Sequence, residues 1–482
     1  MSLVRKVSTL TFGRGLNILI NFLFLPYMAR MLSYDDYGTY GQVLLVVSFA
    51  SAFLTFGLPQ ILYVYLSKEE ADKKQTFSSN TLTLLIFGII GAVVLVSFSG
   101  YISSWLENPR ISFLLKIFSW SLVFQIPYES IVSWLIYNGK VKVVALLSVF
   151  SNLLKVLLVV VVVQLFESVE LVFYSILITV IAQFVVAIYI VRSKLVFNIK
   201  VNTTVQQIKD GFPLGLTALF GTGILYIDGI MISNMLGVES YAIYRNGAIE
   251  VPFVSTIYAS IAAIILPEVS KLFGKNRLND IIVLKKRVIM NSIALIYPVL
   301  VFMLFYSNDF IVLYLGERYE ASAIIFAIFN LTLLLRVNSY SDVLISANKG
   351  KLILIIYLIA FVVNIGLNYL LINELGRVGA AISTVGSIFL LAIVQLFFTV
   401  KLLNTSIFKL FSMYKIIEIL LVSLVVVLLV DFIEVFDNLS IYNLLIKYGV
   451  YFVVMYSFIL YRSHFEKQVL IRILPFKIFK VR

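Results

Sequence analysis

The sequence predicts an all-α integral membrane protein of about fourteen transmembrane helices: two similar six-helix lobes, arranged as a parallel repeat, followed by a C-terminal helix pair. Two observations carry this. The chain is 61% hydrophobic and only 13% charged, where a soluble domain carries roughly 25% charged residues. One stretch also occurs twice. Setting Met31-Leu32 over Met235-Leu236 brings Asp35 over Glu239, Tyr37 over Tyr241 and Tyr40 over Tyr244, all at one offset of 204 residues. Each copy holds an apolar helix bearing polar residues, a short acidic and aromatic turn, and a second apolar helix. A repeat of nearly half the chain implies two lobes.

At roughly 20 apolar residues per span, the first six helices fall near 9–31, 40–66, 78–100, 111–137, 143–165 and 169–191. Six more fall near 211–235, 241–267, 288–306, 320–346, 352–373 and 378–400. A last pair, near 414–433 and 444–461, stands outside the repeat. The expected organisation is therefore an N-lobe over 1–192, a C-lobe over 193–402, the extra helix pair over 403–462 and a basic tail over 463–482. The first segment carries Arg14, Asn17 and Asn21 and lacks a small-residue cleavage site, so it reads as a retained helix rather than a signal peptide.

Orientation follows from the basic residues, which are retained on the cytoplasmic side. Alternate loops and the tail hold 28 of the 38 Lys and Arg residues. The opposite loops hold only Arg110, Arg318 and Arg377, beside acids such as Asp35, Asp36, Glu107, Glu167, Glu170, Glu239 and Glu374. Both termini are thus expected in the cytoplasm, as an even number of spans requires. The tail alternates apolar and basic residues and suits the anionic inner leaflet.

Several function classes are excluded by composition. With no Cys and one His, His464 in the tail, the chain offers no disulfide framework, thiol nucleophile or metal site. Gly139-Lys140, Gly274-Lys275 and Gly350-Lys351 each lack the glycine five residues earlier that a phosphate-binding loop needs. The longest loops, 192–210 and 268–287, are too short for a catalytic domain. No cofactor and no enzymatic activity are expected. The net charge of +13 belongs to the cytoplasmic face of a membrane protein and does not imply nucleic acid. Whatever the protein does happens within the bilayer.

Seven basic residues lie in or at the ends of the spans: Arg14, Arg30, Lys116, Lys155, Arg245, Arg336 and Lys447. Arg30, Lys116, Arg245 and Lys447 are near enough to an interface to snorkel. Lys155 and Arg336 fall near mid-span, where a charge costs roughly 2.5–3.5 kcal/mol on insertion scales, so each must face protein or water. Their neighbours are polar. Ser148, Ser151, Asn152 and Lys155 form one stripe on the fifth helix, Arg14, Asn17 and Asn21 another on the first, and Thr332, Arg336, Ser339 and Tyr340 a third on the tenth. Ser, Thr and Asn in such stripes can be interhelical hydrogen-bond glue. Three cations with no carboxylate on the same helical face point instead to a cationic cavity. The candidate binding set is Arg14, Lys155, Arg336 and Arg245, lined by Asn17, Asn21, Asn152, Ser339 and Tyr340. Among the intramembrane acids, Asp228 and Glu250 are candidate coupling sites or charge partners, with Asp228 expected to pair with Arg245.

The turn LPYMARMLSYDDYGTYG, the LPQ after Gly57, IDGIMISNMLGVESYAIY, LPEVSKLFG and LGRVGAAIST together resemble polysaccharide-export flippases. These are the Wzx-type branch of the multidrug/oligosaccharidyl-lipid/polysaccharide (MOP) superfamily. The likeness runs through helices one to twelve, and the last pair is similar to that of fourteen-helix relatives such as lipid II flippases. It implies a V-shaped pair of lobes that opens alternately to either side. The implied cargo is a polyprenyl-diphosphate-linked oligosaccharide, moved across the bacterial cytoplasmic (inner) membrane for O-antigen or capsule synthesis. A coupling proton or sodium ion and other polysaccharide assembly proteins are the implied partners. The alternatives are a cation-coupled multidrug exporter of the same superfamily and a lipid II flippase. The residues fit the first cargo independently, since a diphosphate bearing about two negative charges calls for fixed cations in a low-dielectric site.

Overall fold

The computed structural model describes residues 3–67, 72–196, 201–251, 254–433 and 441–462, so the tail expected on the inner leaflet lies outside the described residues. Among them every element of regular secondary structure is a helix. In chain order the helices are α1 (Leu3–Met31), α2 (Tyr34–Leu54), α3 (Leu58–Leu66), α4 (Lys73–Ser97), α5 (Ser99–Trp105), α6 (Arg110–Phe118), α7 (Leu122–Tyr137), α8 (Val141–Phe166), α9 (Val169–Val191) and α10 (Val201–Gly247). They continue as α11 (Val254–Gly274), α12 (Leu278–Phe305), α13 (Ser307–Leu315), α14 (Ser322–Asn330), α15 (Asp342–Ser346), α16 (Gly350–Leu375), α17 (Arg377–Leu402), α18 (Ile407–Leu410), α19 (Met413–Asp431) and α20 (Ile441–Tyr461). Among the described residues eleven helical stretches are long and apolar enough to cross a membrane, which makes this a multi-pass membrane protein. Of the fourteen expected spans, α1, α11 and the broken stretch around α14 and α15 are not among those eleven.

The repeated turn explains how its helices start. Ser33 caps α2, its Oγ accepting the Asp36 N–H at 3.0 Å, with Asp35 and Asp36 in the first turn where the helix dipole favours acids. At the matching position of the second copy stands Gly237 (φ 82°, ψ 177°), the one non-helical residue inside α10. The turn expected between the seventh and eighth helices is therefore a single-residue break, which glycine accommodates because it has no Cβ.

Two expected spans are interrupted. The eighth, expected over 241–267, is divided between the end of α10 and α11, with Ile249, Glu250 and Val251 outside both helices. The sequence places Pro252 next, and proline disfavours helix in the residue before it. The tenth, expected over 320–346, is α14, a 3-10 turn over Leu331–Leu334 and α15, with irregular backbone between. Asn338, Ser339 and Ser341 lie in that gap, and such side chains compete for helical hydrogen bonds. Freed carbonyls at membrane depth need partners, and here side chains supply them. Tyr297 donates to the Leu334 carbonyl at 3.1 Å, Lys285 to that of Ser339 at 2.9 Å and Thr399 to that of Tyr340 at 3.3 Å.

By packing, the chain forms two compact units. One comprises Met1–Arg245 with Tyr357–Ala380, the other Asn246–Ile356 with Ala381–Arg482. Packing thus groups α16 and most of α10 with the N-terminal helices, a different grouping from the one the repeat suggests. In the first unit Leu62, Leu66, Phe77, Ile131, Trp134 and Val144 share an apolar cluster, with the rings of Phe77 and Trp134 stacked at 4.6 Å. In the second, Ile261, Ile265, Val269, Ile281, Val288 and Val343 do the same.

Candidate functional site

Two of the predicted polar stripes face each other. Asn17 Nδ2 on α1 donates to Ser148 Oγ on α8 at 2.6 Å, and Asn152 Nδ2 donates to Asn17 Oδ1 at 3.2 Å. Further along, Lys155 Nζ donates to Asn21 Oδ1 at 3.3 Å and stands 5.8 Å from the centre of the Phe24 ring. Last, Tyr27 reaches the Val160 carbonyl at 3.3 Å. Residue numbers rise together on the two helices, so they run parallel. Asn17 and Asn152, expected to line a cavity, are spent largely on joining the helices, the role that small polar residues commonly take in bundles. Lys155 is different. Its partners are an amide oxygen and a ring face, neither of which cancels its charge. Arg14 is exposed on α1, one turn before Asn17.

The two copies of the acidic-aromatic turn pack against each other within the first unit. Arg245 lies over Tyr37 and Tyr40, at 5.1 and 5.2 Å from their ring centres, while Tyr241 donates to the Gly41 carbonyl at 3.3 Å. Gly41 and Arg245 are repeat-equivalent positions. A Cβ on Gly41 would come within 2.8 Å of the Tyr241 ring and 3.0 Å of Arg245 Cδ, so the glycine is what admits the arginine. Asp228, expected to pair with Arg245, is engaged close by in the same unit. Asp228 is buried and accepts from the Tyr244 hydroxyl and from the Gly229 N–H at 2.6 Å. Arg245 is met by ring faces, and its Nη1 is buried without a hydrogen-bond partner. A cation over aromatic faces gains about 2 kcal/mol when desolvated, which accounts for its tolerance there.

In the second unit the interrupted helices meet. Arg336 is ion-paired with Glu250, its Nε donating to Oε1 at 2.9 Å and its Nη2 to the same oxygen. The guanidinium lies 5.3 Å from the ring centre of Tyr258. The stripe that carries Arg336 has no carboxylate of its own, but the gap in the eighth helix brings Glu250 to it, and Glu250 is its charge partner. Ser339 is buried and Tyr340 half-buried, and both contribute backbone carbonyls to the contacts that hold the gap. Sequence reasoning missed Lys285. Assigned to a cytoplasmic loop, it is 1% exposed on α12, with Nζ 2.7 Å from each carboxylate oxygen of Asp342. An aspartate near the end of an apolar span was the only signal of it. Missed as well was Asn330, which accepts from the Val251 N–H at 2.9 Å and donates to the Ile249 carbonyl at 3.0 Å.

The family of polysaccharide biosynthesis proteins matches residues 3–273. The chain belongs to this family. It is 26% identical over 432 residues to an uncharacterized membrane protein of Methanocaldococcus jannaschii, with 81% of this chain and 84% of that one aligned. To a Shigella flexneri protein named for O-antigen transport it is 23% identical over 402 residues, covering 80% of this chain and 94% of that one. Among solved structures, lipid II flippase MurJ in an inward closed conformation matches with a TM-score of 0.74 at 20% identity, over 95% of this chain and 99% of that one. An inward-facing multidrug MATE transporter of the MOP superfamily matches at 0.59 and 14% identity, over 80% and 94%. These likenesses show the fold, which this chain shares with both transporters.

Proposed function

We propose that this polysaccharide biosynthesis protein is a flippase for polyprenyl-diphosphate-linked oligosaccharide, working by alternating access between two six-helix lobes in the bacterial cytoplasmic membrane, with both termini in the cytoplasm. Family membership and a relative named for O-antigen transport support the cargo class. The observation that carries the reading is Lys155, a cation at the middle of an apolar helix whose partners are Asn21 and Phe24 rather than a carboxylate. A charge costs several kcal/mol at that depth, and an anionic cargo gives the position a use. Arg14, Arg245 and Arg336 are the further contacts we assign to the diphosphate. A proton or sodium gradient would drive transport, and the assembly proteins of the same polysaccharide would receive the cargo. The drug-exporter alternative would rest on intramembrane acids, but Glu250 is engaged with Arg336 and Asp228 with Tyr244.

The test is genetic. In cells that depend on this protein, Lys155→Ala is expected to leave it inserted and abundant while surface polysaccharide disappears and lipid-linked repeat units accumulate on the cytoplasmic side. Normal polysaccharide from that variant would refute the reading.

A further inference from the structure

The second unit holds two ion pairs at its interrupted helices, and they differ in kind. Lys285–Asp342 is sealed, with side-chain exposures of 1% and 0%, and Lys285 also holds the Ser339 carbonyl. Opening that pair would strand a buried charge. Arg336–Glu250 is open, with side-chain exposures of 29% and 16%, and both residues stand on irregular backbone. Its geometry is also the weaker kind. One carboxylate oxygen takes both guanidinium bonds, whereas the strongest arginine–oxyanion contacts use two oxygens side by side.

The surroundings hold the two side chains unequally. Asn330 clamps the backbone on both sides of Glu250, at Ile249 and at Val251, so the carboxylate can leave Arg336 by turning its own side chain, without a shift of the chain. The guanidinium keeps its seat over Tyr258 when Glu250 departs.

From this we infer that Glu250 is an internal stand-in for the anionic cargo: it occupies Arg336 while the site is empty, and a phosphate of the cargo displaces it. The inference rests on the reading of Arg336 as a diphosphate contact. Its consequence is selectivity. A carboxylate tethered beside the arginine sets the affinity that any incoming anion must exceed, so a free carboxylate gains little by replacing it. A diphosphate, with more charge and oxygens placed to pair with both guanidinium nitrogens, gains more.

Calorimetric titration of the full-length protein in detergent with farnesyl diphosphate tests this. Glu250→Gln is expected to tighten binding about fivefold, the order at which one partly exposed ion pair competes. Glu250→Asp, which keeps the charge but draws it back from Arg336, should tighten it by less. Arg336→Gln should weaken binding, and adding Glu250→Gln to it should change nothing further. Unchanged or weaker binding by both Glu250 variants would overturn the exchange and leave the cargo reading standing, as would binding that Arg336→Gln does not affect. No binding to the unaltered protein would overturn the diphosphate reading and the exchange with it.

Discussion

Asn17 and Ser148 meet at 2.6 Å across α1 and α8, and from that contact the two helices stay in register through Asn152, Asn21, Lys155, Tyr27 and Val160. One seam therefore combines two jobs: its amides join the helices, and its lysine carries a charge that the seam itself does not need. Those jobs separate by mutation. Asn17→Leu removes the partner of both Ser148 and Asn152 and is expected to cost about 1–2 kcal/mol, the upper range for interhelical hydrogen bonds in membranes. Lys155→Met should leave the melting temperature in detergent unchanged or raise it. A larger loss of stability from Lys155→Met than from Asn17→Leu would show that the lysine is a structural residue.

Asp228 accepts from the Tyr244 hydroxyl. A double-mutant cycle on thermal stability between Asp228→Asn and Tyr244→Phe should give a coupling of about 1–2 kcal/mol, since the bond involves a buried charged acceptor. The cycle between Asp228→Asn and Arg245→Gln should give a coupling within about 0.5 kcal/mol of zero. Recovery of the Asp228→Asn defect by Arg245→Gln would show instead that the two charges are coupled.

For Lys285 and Asp342, truncating one partner leaves a charge in a sealed site. Lys285→Met or Asp342→Leu alone is expected to cost about 3–5 kcal/mol, and the double change to recover most of it, because apolar replacements of such pairs are often neutral. Folded protein recovered by size-exclusion chromatography reads this directly. A double variant as poor as the worse single would show that Lys285 is needed for its hold on the Ser339 carbonyl.

Topology is testable because the chain has no native cysteine. Glu107, Glu239, Glu374, Lys73, Lys275 and Lys349 are all exposed. Cysteines at the three glutamates should react with a membrane-impermeant thiol reagent in intact cells, and those at the three lysines should not. Labelling of the lysine set in sealed cells would invert the assignment.

How much of this was legible in the sequence depended on the range of the signal. Apolar runs and the 204-residue offset are properties of local sequence, and they located the helices and the capped turn at Ser33 together with its counterpart at Gly237. The polar stripes of α1 and α8 were visible as faces, but not that the faces meet, since pairing of helices is set by long-range packing. The gap at Glu250 was hidden because its residues are as apolar on average as a continuous span, and the gap at Arg336 because Arg336, Ser339 and Tyr340 read as a polar stripe on an unbroken helix. Only Pro252 and the run Asn338-Ser339-Tyr340-Ser341 hinted at them. Lys285 was misplaced for the related reason that a lysine inside the stretch read as the loop 268–287 looks solvated until its aspartate partner is brought in from another helix. The aromatic setting of Arg245 was not legible because spacing gives no direction for a side chain, and Tyr37 and Tyr40, which receive it, come from the other copy of the repeat.

The most direct test of the account is lipid flipping in proteoliposomes. A fluorescent oligosaccharide linked to polyprenyl diphosphate, placed in both leaflets, becomes fully accessible to a membrane-impermeant quencher when the unaltered protein is present. With Lys155→Ala at equal reconstitution, accessibility should stay near the half seen in protein-free vesicles, and Lys155→Arg should restore part of the flipping because the charge is kept. Full accessibility with Lys155→Ala, or accessibility that stays near half with the unaltered protein under an imposed ion gradient of either kind, would contradict it.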